Sequence, residues 1–143
     1  KMKYFIIYII VLLMFITMGY NRNSSNVKKV FQEIKTEIPD IYISSYFRLS
    51  GANHKTGRAV DIGSKKGSSL IKAFNKLCNR NDIRVGIGIE KADRHIHIDE
   101  FINEKKCKKR FIEISKEESY CVDNLSCLEV ENKIKNYYTY LRN

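Results

Sequence analysis

An α+β fold, with a small and mostly antiparallel sheet and helices packed on one face, is what the sequence predicts. Three observations carry that expectation. Val60 and Ile62 flank Asp61, and Ile96 and Ile98 alternate with His95, His97 and Asp99, which is the period of a half-buried strand. Apolar residues recur at helical spacing at Val27, Val30, Phe31, Ile34 and Ile38, and again at Leu70, Ile71, Phe74, Leu77 and Cys78. The chain has 143 residues, enough to bury one core but not two.

Taken in order, Lys1 and Lys3 precede an uncharged run from Tyr4 to Tyr20 that is dense in Ile, Leu, Phe and Met. A basic start before such a run marks residues 1–20 as an export signal or membrane anchor. No small-x-small cleavage pattern follows, so a retained anchor is expected, with the rest of the chain exported to the periplasm or cell surface. Residues 21–26 form a polar linker and residues 27–143 the folded domain. Ser24 or Ser25 caps the first helix and Pro39 ends it. Ile41 to Phe47 alternates β-branched and aromatic residues as a strand does. Residues 48–56 form a loop, Gly57 to Ile62 a second strand, and Gly63 to Gly67 a turn into the second helix. Ile83 to Glu90 is the third strand, and its Gly86 and Gly88 suggest a close backbone approach. His95 to Asp99 is the fourth. Phe101 to Ile114 shows no clear period, whereas Asp123 to Leu141 reads as a helix covering the sheet.

A formal net charge of +10 implies attraction to anionic partners. No recognition motif accompanies the charge, so nucleic acid is not expected, and an anionic wall or membrane surface remains. Lys105, Lys106, Lys108, Lys109 and Arg110 read as a solvated face. The four cysteines, at 78, 107, 121 and 127, allow three pairings outside the cytoplasm, and their spacing does not suit a zinc ribbon. Cys78, on an apolar helical face, is expected as a buried thiol, with any bridge among the other three.

The chemistry concentrates in two segments, His54-Lys55-Thr56-Gly57-Arg58-Ala59-Val60-Asp61-Ile62 and Asp93-Arg94-His95-Ile96-His97-Ile98-Asp99. They contain all three histidines of the chain. Strand alternation puts His95, His97 and Asp99 on one face and both isoleucines in the core. The bland reading is two exposed strand histidines and one in a loop, and the clustering of every histidine weighs against it. Imidazole nitrogen and carboxylate oxygen suit zinc, and three protein ligands with one open position is the catalytic arrangement. His54, Asp61 and His97 are the expected ligands.

The order His-x-x-Gly-Arg-Ala-Val-Asp-Ile and then His-Ile-His resembles the zinc D-alanyl-D-alanine carboxypeptidases and related murein peptidases. It is also similar to the hedgehog signalling domain, which shares their fold and zinc site. The resemblance covers about residues 40–100 and implies the same three ligands. In similar enzymes an acidic residue shortly before the second zinc histidine is the general base, but three residues before His97 this chain has Arg94. Asp93, on the alternating face of His95 and His97, is ranked ahead of Glu90, which resembles the acidic residue before His-Ile-His in hedgehog proteins. His95 is expected to stabilise the tetrahedral intermediate or donate a proton. Asp99 is expected to accept a hydrogen bond from a ligand histidine. Arg48 follows the first strand, where relatives carry an arginine that grips the substrate carboxylate. Ser50 lies near the place of a serine two residues before the first zinc histidine, where this chain has Ala52. The implied function is a monomeric zinc D,D-carboxypeptidase or endopeptidase that hydrolyses peptidoglycan stem peptides in cell-wall remodelling. The rival, which Arg94 favours, is a catalytically silent, zinc-stabilised binding module on the same fold.

Overall fold

The computed structural model describes residues 25–45, 54, 56–90, 94–101, 105–115 and 118–139. In chain order these form α1 (Ser25–Glu37), β1 (Tyr42–Ser45), β2 (Ala59–Gly63), α2 (Gly67–Leu77), β3 (Arg84–Gly88), β4 (Ile96–Asp99), β5 (Arg110–Glu113), β6 (Ser119–Cys121) and α3 (Cys127–Tyr138). The strands make one sheet in the order β1-β2-β4-β3-β5-β6. Every pairing is antiparallel except that of β3 with β5. The fold is α+β with a mixed, mostly antiparallel sheet.

Strand parity divides this sheet into two unlike faces. One face carries Val60, Ile62, Val85, Ile87, Ile96, Ile98 and Ile112, and all three helices join it in a single apolar cluster. α1 contributes Val30 and Ile34, α2 Leu70 and Phe74, and α3 Val130 and Ile134. Each fully buried aliphatic side chain of this kind contributes about 1.5–3 kcal/mol. The alternate residues, Asp61, His97, Asp99 and Arg84, point the other way and are buried too.

The C-terminal part differs most from the sequence reading. The stretch without clear period contains β5, and β6 follows it. The last helix starts at Cys127 rather than Asp123, because Ser126 and Glu129 form a capping box there. Asp123 instead accepts from the backbone N–H groups of Lys108, Lys109 and Arg110 at 2.8, 2.9 and 2.6 Å. Cys107 is bonded to Cys121, a bridge among the C-terminal cysteines. Cys78 is buried as expected, yet it is no thiol: it is bonded to Cys127. The packing of α2 beside α3 brings their Cα atoms to 5.8 Å, within disulfide reach. By chain entropy, closing a loop of that separation of 49 residues contributes about 4 kcal/mol. Among the described residues no helix is long and apolar enough to cross a membrane. The expected anchor, residues 1–20, lies outside them.

Gly86 answers the sequence expectation of a close approach. A Cβ built there would lie 2.1 Å from Cζ of Phe111, whose ring crosses the strand. Gly86→Ala is therefore expected to destabilise the protein by about 1–3 kcal/mol in urea unfolding. The cost should be less than additive with Phe111→Ala, because the smaller side chain clears the space. Strict additivity would rule out this contact as the reason for glycine.

Candidate metal centre

Sheet register builds the centre. Asp61 on β2 lies opposite His97 on β4, and His97 lies opposite Gly86 on β3. His54 comes to the same place by a turn. Gly57 has φ 70°, a left-handed conformation that glycine adopts at no steric cost, and its N–H donates to the His54 carbonyl at 3.1 Å. One oxygen is the focus: Asp61 Oδ1 lies 2.8 Å from His97 Nδ1 and 3.3 Å from His54 Nε2. The three residues are buried and their donor atoms all lie within 4.8 Å of one another. Four N and O donors at tetrahedral positions around zinc lie about 3.3 Å apart, close to the 2.8 and 3.3 Å at which the two histidines meet Asp61 Oδ1. The His54, Asp61 and His97 group can bind a metal ion.

Behind it stands a second set of buried contacts. His97 Nε2 donates to Asp99 Oδ2 at 2.9 Å, which leaves Nδ1 facing Asp61. Asp99, fully buried, is held in turn by Arg84: Nη2 donates to Oδ2 at 2.6 Å and Nε to Oδ1 at 3.1 Å. The Phe101 backbone N–H donates to Asp99 Oδ1 at 2.9 Å, and Arg84 Nη1 donates to the Cys107 carbonyl at 3.3 Å. The Arg84 guanidinium also lies 4.6 Å over the Phe111 ring, which sits 5.8 Å from the His97 ring. The imidazole is thus fixed from both of its nitrogens and packs beside the Phe111 ring.

Electrostatics follow from these contacts. Burial pushes the Asp61 carboxyl up, but hydrogen bonds from His54 and His97 outweigh it and hold the group far below the usual carboxylate range. Burial likewise opposes ionisation of Asp99, and His97 and Arg84 win there, lowering it to about 2. Burial disfavours the charged form of His97, yet its hydrogen bonds to Asp61 and Asp99 raise it to about 9.

No family model matches the chain, and comparison with curated proteins and with solved structures finds no match either. The centre therefore has to be read from its own residues. The structure brings together His54, Asp61 and His97, puts His95 beside them and Asp99 behind them. His95 Nε2 lies 3.9 Å from Asp61 Oδ1. Glu90 is exposed, two residues beyond the end of β3. Asp93, Arg48 and Ser50 lie outside the described residues. Two participants escaped the sequence reading. Arg84 alternates with Gly86 and Gly88, so its face was legible, although its partner Asp99 was not. Glu113, whose Oε2 lies 3.6 Å from His95 Nε2, sits on β5, in the stretch that gave no period.

Metal binding must compete with the proton on His97. Because that group is raised to about 9, a cation at Nδ1 displaces a proton throughout the neutral range. Affinity should rise about tenfold per pH unit between about pH 6 and 8 and level off near the folded-state value. Calorimetry in buffers of different ionisation enthalpy should show about one proton released per ion at neutral pH. Flat affinity with no proton release would contradict the His97 pairing.

Proposed function

We propose that the chain is a zinc metallopeptidase of the murein peptidase type, with the fold shared by D-alanyl-D-alanine carboxypeptidases and hedgehog signalling domains. Its substrates are peptidoglycan stem peptides, cleaved as a D,D-carboxypeptidase or endopeptidase. The observation that carries the reading is the buried N, O, N group of His54, Asp61 and His97, with His95 next to it. Two imidazoles and a carboxylate suit zinc, and three protein donors leave a position for water or substrate. When bound there, zinc supplies a Lewis acid and lowers the pKa of water from about 15.7 towards 7.

The protein's own part is orientation and proton handling. Asp99 and Arg84 fix the tautomer of His97, as the carboxylate behind a metal-binding histidine does elsewhere. His95 lies where it can meet the oxygen or the leaving group of a bound peptide. Arg48 and Ser50 are the proposed grip on the substrate carboxylate, and Asp93, then Glu90, the proposed base. Export through residues 1–20 is part of the same proposal, and two disulfides among the described residues support an oxidising compartment. The second reading, a silent zinc-stabilised binding module, is favoured by Arg94 at the place where similar enzymes carry an acid.

The test is incubation of the purified full chain, zinc-loaded or chelated, with muropeptides, followed by mass analysis of the products. Loss of a terminal D-alanine marks a carboxypeptidase, and a broken cross-link marks an endopeptidase. His54→Ala, Asp61→Ala and His97→Ala should each lose zinc and lower turnover by about 10²-fold or more, the scale of a metal-dependent step. A wild-type protein that binds one zinc and yields no product would leave the binding module.

A further inference from the structure

The glycines of β3 do more than admit the Phe111 ring. Register places Ile87 opposite Ile96, and the Gly88 N–H donates to the His95 carbonyl at 2.9 Å. On its other side Gly88 lies opposite Glu113 of the parallel strand β5. Glu113, Gly88 and His95 therefore form one row across three strands, on the face away from the helices. Across this row Glu113 Oε2 lies 3.6 Å from His95 Nε2. In the neighbouring row the Phe111 ring lies against Gly86, 5.8 Å from the His97 ring.

We propose that Glu113 is a positioning residue for His95, a carboxylate delivered from β5 to the site whose expected acid at position 94 is an arginine. This rests on the reading of the site as that of a metallopeptidase. Among the described residues, Asp61 from β2 lies 3.9 Å and Glu113 from β5 lies 3.6 Å from His95 Nε2, and His97 is the next titratable group along its strand. A cation held by Asp61 would engage that carboxylate, whereas Glu113 lies outside the metal group and faces the imidazole. The contact is sheltered, because the Glu113 side chain is 25% exposed and that of His95 11%. In such surroundings an ion pair is screened less than at an open surface.

The experiment uses the zinc-loaded full chain and two variants. Glu113→Ala removes the acceptor, and Glu113→Gln keeps an acceptor oxygen without the charge. Proton–nitrogen NMR of the histidine rings, assigned with His95→Gln, should show a protected His95 Nε2–H in the wild type. That signal should vanish in Glu113→Ala while zinc stays at one per chain. On muropeptides, kcat should fall about 10- to 100-fold with KM little changed, and Glu113→Gln should recover part of the loss. A protected signal that survives in Glu113→Ala, an unchanged kcat, or loss of zinc from that variant would each overturn the assignment. Wild-type protein that is zinc-loaded but inactive would overturn the peptidase reading instead, and the NMR comparison would still decide whether Glu113 holds His95.

Discussion

A single buried oxygen, Oδ1 of Asp61, organises this protein. Nitrogen atoms of all three histidines of the chain lie within 3.9 Å of it, from two segments far apart in sequence. Burying a carboxylate is expensive unless it is paired and hydrogen-bonded. Here the pairing is supplied by strands whose register leaves no choice of neighbour. Asp61 can meet His97 only while β2 and β4 keep their pairing, and a slip of one strand by one residue would turn its member of the pair into the apolar cluster. The hydrophobic face thus enforces the polar one: Val60, Ile62, Ile96 and Ile98 fix the register that the metal group needs.

Stability alone does not account for that network. A buried ion pair often does no better than apolar residues of the same volume. Arg84, Asp99, His97 and Asp61 nevertheless form a continuous buried chain of charge, each member satisfied by the next. Such an arrangement restricts geometry at energetic cost, which is the mark of a site where one tautomer and one ring orientation matter. The chain also ties the centre to the C-terminal part of the fold. Arg84 contacts the carbonyl of Cys107, and Cys107 is bonded to Cys121 at the end of β6.

How much of this was legible depended on the range of the interactions. β2 and β4 follow a period of two, and the same alternation sorts His97 and Asp99 onto one face, so the metal group could be read directly. α1 and α2 announce themselves by helical spacing. β5 does not, because Arg110 to Glu113 is short, charged at both ends, and held in place by parallel pairing with a strand more than 20 residues earlier. Glu113 was hidden for the same reason. The Cys78 to Cys127 bridge depends on two helices meeting, which spacing along the chain does not encode. Asp123 looked like the first turn of a helix, and its carboxylate is spent on the backbone of residues 108–110.

The surroundings of the metal group bear on whether it is structural or catalytic. A structural zinc site closes all four positions with protein donors. Among the described residues three donors converge, and His95, two residues from His97, has its Nε2 3.9 Å from the shared oxygen. Glu113, from across the sheet, has its Oε2 3.6 Å from the same histidine. On the proposed peptidase reading, His95 is the group that would act beside the ion, with Arg94 in the place of the expected acid.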